Sequence, residues 1–174
     1  KNLQDKLTFI VQPTMPPVNE NLMELLLEVE ASKGLGAEEI VAVVPYFGYS
    51  RQTRRHQKGE PISAKVAVKA IEAAGADKII SFDLHDEKIK VFASVPFLNV
   101  DPNYLLVRYI ERELLETGKA VIVSPDAGGA DKARRVAETM GLRWTTLKKT
   151  RKGTSQVKMK MPEGLTKDWD FEKA

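Results

Sequence analysis

The feature that most constrains this chain is an alternation of short runs rich in β-branched residues with helical stretches of ten residues or more. LTFIVQ, residues 7–12, reads as a buried strand, and a helix opens at Asn19 through NLMELLLEVEAS. EIVAVV, residues 39–44, is a second strand ended by Pro45, because the residue before a proline is pushed away from helical geometry. After a long polar loop, Ser63 is predicted to cap the helix SAKVAVKAIEAAG, with Gly75 as its stop. KIISFDLH is a third strand running into Asp83 and His85; VPFLNV is a short extended run; and Pro102 opens the helix NYLLVRYIERELLE. AVIVSP is a fourth core strand, followed by a glycine turn into the helix of DAGGADKARRVAETMG. RWTTLKK and SQVKMKM are two further strand candidates, with a basic, glycine-containing loop between them. Such alternation predicts βαβ units, hence an α/β fold with a mostly parallel sheet flanked by helices. Ligands of these sheets bind beyond the carboxyl ends of the strands, so the loops after strands are where chemistry is expected.

Composition narrows the class. With 43% hydrophobic and 29% charged residues the chain can bury a real core, which argues against disorder. Its 174 residues suit one good-sized domain and are few for two. Charge breaks every apolar run well before about 18 residues, so no transmembrane helix is expected. No cationic-then-apolar leader opens the sequence, and the expectation is a cytoplasmic protein with no membrane role. The absence of cysteine excludes disulfides, thiolate metal sites and a thiol nucleophile, and fits a reducing compartment. The net charge of +3 is small, but positive residues gather in two places: Arg51, Arg54, Arg55, His56 and Lys58, and Lys148, Lys149, Arg151 and Lys152. A basic run fits a solvated face as well as a phosphate site; both of these runs lie just beyond a predicted strand, which favours phosphate. Neither is interleaved with aromatics that would stack bases, so no nucleic-acid partner is expected.

Four constellations carry candidate chemistry. In SPDAGG, residues 124–129, an Asp at a strand end precedes two glycines, a turn that lets backbone approach an anion. Asp126 would repel phosphate directly; it fits either a Mg²⁺ ligand set between the two or a helix cap. His85, in DLH, stands in step with Asp126 at a strand end, as a metal ligand or a structural imidazole, with Asp83 able to orient its ring. The segment YFGYSRQTRRHQKGEPIS, residues 46–63, sets two tyrosines beside a dense arginine patch. That composition suits adenine packing next to triphosphate pairing, since guanidinium is a fork matched to phosphate oxygens; the alternative is a flexible surface loop. KKTRKG, residues 148–153, is either a basic loop that neutralises charge in phosphoryl transfer or a solvated hairpin. GxxxxGK[ST], GxGxxG and GxSxG are all absent, which sets aside P-loop, dinucleotide-binding and nucleophile-elbow enzymes.

In this order the motifs resemble the ribose-phosphate pyrophosphokinase family. The likeness runs from FIVQPTMPPVNENLMELL through VVPYFGYSRQTRR, PISAK, GADKIISFDLH and VSPDAGG to KKTR, nearly the whole chain. It implies phosphoribosyltransferase-like domains: most of a first over residues 1–118, and the start of a second over 119–174 that includes a catalytic flexible loop. It further implies transfer of the β,γ-diphosphoryl group of Mg-ATP to the C1 hydroxyl of ribose 5-phosphate, with AMP released. By the resemblance Arg51 and Gln52 bind ATP, with Arg54 beside them as a further ATP-binding candidate. His85 and Asp126 bind Mg²⁺ and the ATP phosphates, and Lys149 and Arg151 are the catalytic pair of the loop. Thr53 stands where the family often has an acidic residue. Family members also begin some tens of residues earlier and continue past WDFEKA into an acidic loop that cradles ribose 5-phosphate. The resemblance implies a homo-oligomer, a hexamer built of dimers. The alternative is a non-catalytic ATP- or anion-binding regulatory or assembly fragment of the same family.

Overall fold

The computed structural model describes residues 2–114, 120–152 and 156–160. They fall into two compact units, Lys1–Pro102 and Asn103–Ala174. The sequence reading sets its boundary after residue 118, so the helix beginning at Asn103 is what the two divisions assign differently. That helix packs against another helix of the second unit, which is why contacts group it there.

The first unit holds a four-stranded sheet in the order β1 (Leu7–Val11), β2 (Glu39–Val44), β3 (Lys78–Phe82) and β4 (Phe97–Val100), every neighbour parallel. Helix α1 (Val18–Gly34) joins β1 to β2, and α2 (Ser63–Ala74) joins β2 to β3. A 3-10 helix over Glu87–Phe92 lies between β3 and β4. Register puts Ile10, Ala42 and Ile79 side by side, and with Ile40 and Val44 they meet Leu25 and Val29 of α1 and Val68 and Ile71 of α2 in one core. The opposite face of the sheet is apolar as well but open at its edges, where Phe9 and Val11 of β1 and Leu98 of β4 are exposed.

Three local expectations change. VPFLNV is not merely extended: its last four residues form β4, the edge strand of the sheet. Helix α1 opens at Val18 behind Pro17, and Asn19 supplies no cap; it accepts a hydrogen bond from the Tyr49 hydroxyl instead. Ser63 is the first residue of α2 and no side chain caps that helix. The free N–H of Ala64 is met by the main-chain carbonyl of Gln52 at 3.2 Å, so a loop and not a side chain closes the helix start. Gly75 ends α2 as expected, at φ 116°, a conformation that favours glycine.

The second unit contains α3 (Asn103–Leu114) and a small βαβ unit: β5 (Val121–Ser124), α4 (Ala130–Met140) and β6 (Arg143–Thr146), with β5 and β6 parallel. Ala133, Val136 and Ala137 recur at helical spacing and form the buried stripe of α4. Beyond β6, β7 (Lys148–Lys152) and β8 (Gln156–Lys160) pair antiparallel. The basic segment expected as a loop is therefore extended strand over most of its length.

Candidate functional site

Neighbouring parallel strands start their exit loops at one edge, and this fold does so twice. In the first unit Val44 at the end of β2 pairs with Ser81 near the end of β3. The arginine loop, residues 46–61, and the Asp83–His85–Asp86 segment therefore leave the same carboxyl edge. Ser81 is fully buried and its hydroxyl donates to the Val44 carbonyl at 2.8 Å, fastening the two strand ends together.

The root of the arginine loop is built to tight tolerance. Thr14, buried in the β1–α1 connection, donates from both its N–H and its hydroxyl to the Tyr46 carbonyl, at 2.9 and 3.1 Å. Its hydroxyl oxygen also accepts from the Gly48 N–H at 2.7 Å. A Cβ at position 48 would come within 2.5 Å of the Thr14 carbonyl oxygen and 2.6 Å of Val18, so only glycine fits. Phe47 turns into the core and packs on Phe97, ring centroids 5.8 Å apart. Tyr49 takes a left-handed backbone, φ 64°, that is unfavourable for a bulky residue, and its hydroxyl bonds Asn19. Tyr49 thus serves the loop's own architecture, whereas Tyr46 remains exposed.

Beyond this root the cations project outward. Arg51, Gln52 and Arg54 are exposed, and among the described residues no carboxylate pairs with Arg51 or Arg54. Arg55 differs, because its Nε donates to the Glu60 carbonyl at 2.9 Å. The Glu60 carboxylate accepts the N–H groups of His56 and Gln57 at 2.8 and 3.1 Å, which hold its pKa below the ordinary glutamate value. The sequence shows three similar arginines, all exposed; the structure ties Arg55 to a main-chain carbonyl, and among the described residues Arg51 and Arg54 have no carboxylate partner.

His85 is exposed in the loop between β3 and the 3-10 helix, which starts from the left-handed Asp83 at φ 49°. Asn99 of β4 holds this loop: its Oδ1 accepts the Leu84 N–H at 3.1 Å and its amide nitrogen donates to Glu87. Asp86 caps the 3-10 helix, with Oδ1 accepting the Lys88 N–H at 2.9 Å, and its Oδ2 accepts the Thr53 hydroxyl at 2.9 Å. The Lys88 N–H first, and then the Thr53 hydroxyl, lower the Asp86 pKa from its ordinary value. This bond joins the two loops directly, between neighbours of Gln52 and Arg54 on one side and of His85 on the other. Sequence reading passed over Thr14, Asp86 and Asn99. A polar Asn inside the otherwise apolar FLNV was the one local signal available.

In the second unit Ser124 of β5 pairs with Thr146 of β6, and the Leu147 N–H donates to the Ser124 carbonyl at 2.9 Å. The Asp126 turn and β7 therefore start from one carboxyl edge. Asp126 is a cap: its Oδ1 accepts the N–H groups of Gly128 and Gly129 at 3.0 and 3.3 Å. The Ser124 hydroxyl donates to the Asp126 carbonyl at 2.7 Å, and a Cβ at Gly129 would sit 2.7 Å from that hydroxyl. Lys149 and Arg151 stand two positions apart on β7, opposite Met159 and Val157 of β8; their side chains lie outside the described residues.

Among the described residues no group of three or more His, Asp or Glu could hold a metal. His85 in the first unit and Asp126 in the second each offer one donor, and Mg²⁺ commonly takes only one or two side chains and completes its shell with water and substrate phosphates. No helix among the described residues is long and apolar enough to cross a membrane.

Residues 1–75 match the family described as the N-terminal domain of ribose phosphate pyrophosphokinase. The chain is 43% identical over 144 residues to the ribose-phosphate pyrophosphokinase of Thermotoga maritima, covering 82% of this chain and 46% of that one. It is 36% identical over 169 residues to ribose-phosphate pyrophosphokinase A of Dictyostelium discoideum, covering 97% and 53%. The crystal structure of phosphoribosylpyrophosphate synthetase from Mycobacterium smegmatis superposes with a TM-score of 0.71 at 31% identity, over 92% of this chain and 53% of that one. The chain thus spans about half the length of the relatives it matches.

Proposed function

Because this chain belongs to the ribose-phosphate pyrophosphokinase family, we propose that it carries the nucleotide-handling part of an ATP:ribose-5-phosphate diphosphotransferase. The reaction moves the β,γ-diphosphoryl group of ATP to the C1 hydroxyl of ribose 5-phosphate, giving phosphoribosyl pyrophosphate and AMP. One observation carries the reading: the exposed Arg51, Gln52 and Arg54 and the exposed His85 leave the carboxyl edge of adjacent parallel strands, their loops joined through Thr53 and Asp86. An edge with two exposed guanidinium groups and an imidazole is chemically suited to a polyphosphate.

In this proposal Arg51 and Arg54 pair with phosphate oxygens, and Gln52 orients the nucleotide by hydrogen bonding. His85 and Asp126 are the side chains toward Mg²⁺, with Asp126 keeping its turn closed at the same time. When bound with ATP, Mg²⁺ neutralises phosphate charge and fixes the phosphate geometry. Lys149 and Arg151 stabilise the charge on the diphosphoryl group as it transfers. The remaining parts of the proposal are a division into most of one phosphoribosyltransferase-like domain over 1–118 and the start of another over 119–174, cytoplasmic location, and homo-oligomeric assembly.

The test is AMP release from Mg-ATP by this chain, with and without ribose 5-phosphate. Release that requires ribose 5-phosphate is the expected result for the diphosphotransferase. Binding of Mg-ATP with no release under either condition would favour the non-catalytic reading.

A further inference from the structure

We propose that Thr53 and Asp86 are positioning residues for nucleotide binding, a pair that sets the arginine loop against the His85 loop; the inference rests on the functional reading above. Residues 51–60 are almost all exposed, and Thr53 and Glu60 are the two that are partly covered. Glu60 is spent inside its own loop, on His56 and Gln57. Thr53 is spent across the gap, on Asp86 Oδ2 at 2.9 Å. The acceptor is itself fixed, because Asp86 Oδ1 holds the Lys88 N–H at 2.9 Å and so anchors the carboxylate to the 3-10 helix. A hydroxyl donating to an immobilised carboxylate makes a charge-assisted bond, stronger than a neutral one.

The placement gives the bond its leverage. Thr53 sits between Gln52 and Arg54, and Asp86 follows His85, so one hydrogen bond limits the swing of residues from both loops. The root of the arginine loop is already pinned at Tyr46, Gly48 and Tyr49, while Arg51 and Arg54 engage no carboxylate among the described residues. The Gln52 carbonyl ties this part of the loop to the start of α2, and Thr53 is what ties it to the His85 loop. Without it the loop keeps its tie to α2 but loses its tie to the His85 loop, and the ligand must supply that part of the ordering, which subtracts from affinity.

The experiment compares Mg-ATP binding by calorimetry for the wild-type chain, Thr53→Val, Thr53→Ser, Asp86→Ala and the double variant Thr53→Val/Asp86→Ala. Thr53→Val keeps the shape and removes the donor; it is expected to weaken Mg-ATP binding about 10-fold, while Thr53→Ser stays within about 2-fold of wild type. The double variant should bind no more weakly than Asp86→Ala, since both changes remove one bond. Amide exchange at residues 84–88 should quicken in Thr53→Val with the melting temperature little changed, a combination that general destabilisation would not give. Wild-type affinity in Thr53→Val, or additive losses in the double variant, would overturn the positioning role. A wild-type chain that takes up no Mg-ATP would instead overturn the functional reading beneath it.

Discussion

The two units share one plan and differ in what supports it. Each sets parallel strands edge to edge, connects them through a helix, and sends polar loops from the carboxyl edge. The first rests on four strands and a core including the fully buried Leu25, Ile40, Ile71 and Ile79. The second has two parallel strands, and among its described residues those buried most deeply are small or polar: Val107, Ala133, Val136, Ala137, Ser124 and Thr145. A polar carboxyl edge therefore needs little more than one βαβ unit, whereas stability follows the number of large apolar side chains removed from water.

The largest effect should come from the core. Ile79→Ala is expected to cost about 3 kcal/mol of unfolding free energy, the usual range for a large-to-small change at a fully buried site. Val136→Ala in the second unit should cost about 1 kcal/mol. Equal losses in denaturant melts would break the comparison.

Function should divide the units in another way. Lys149→Ala or Arg151→Ala is expected to lower kcat about 100-fold with little change in Mg-ATP affinity, as for charge stabilisation confined to the transition state. Arg51→Ala should do the reverse, weakening Mg-ATP about 10-fold through loss of a charge-assisted pair. Equal falls in affinity for all three, with turnover surviving, would remove the division of labour.

Asp126 sharpens the point, because its cap is visible and its metal role is proposed. Asp126→Ala should cost about 1 kcal/mol of stability and Asp126→Asn almost none, since asparagine caps as well as aspartate. If Asp126→Asn keeps the fold but loses Mg²⁺-dependent ATP binding, the carboxylate does both jobs. Unaltered binding would leave it a cap alone.

The smallest effect is an acid one in the first unit. Glu60 and Asp86 have their pKa values lowered by hydrogen bonds, chiefly from the N–H groups of His56 and Lys88 respectively. A carboxyl depressed in the folded state stabilises it above the ordinary carboxylate pKa of about 4, and that contribution is lost as pH falls through the folded value. Amide exchange at His56, Gln57 and Lys88 should therefore rise, relative to intrinsic rates, below about pH 4. A flat ratio from pH 6 downward would show that these carboxylates do not hold the loops.

How much of this was legible in the sequence depends on distance along the chain. Branched runs mark β1, β2, β3 and β5, and Gly75 and Gly141 mark helix ends, because those signals are local. The rule that loops follow carboxyl edges marks His85 and the arginine loop each as strand-end segments, and the β2–β3 pairing in the structure makes them neighbours. VPFLNV reads as extended, but its place as the edge strand is set by pairing with β3, a contact no local signal gives. Strand β7 read as a loop because its residues are nearly all charged and its partner lies on the far side of a turn. Thr53 and Asp86 are thirty-three residues apart, and no local pattern links them. Ser63 had the right chemistry for a cap but sits one residue inside the helix, behind Ile62, and a carbonyl from residue 52 meets the Ala64 N–H.

That carbonyl has a consequence for how the first unit would respond to a ligand. Gln52 closes the start of α2 with its main chain, while its side chain is one of the candidate nucleotide contacts. Fraying of the helix and displacement of the loop are then coupled through that bond. Linkage is reciprocal, so a nucleotide that holds Gln52 in place would lower the equilibrium population of frayed α2 by the same factor by which an intact helix tightens the nucleotide. The exchange rate of a single proton, the Ala64 amide, would act as an internal gauge of occupancy.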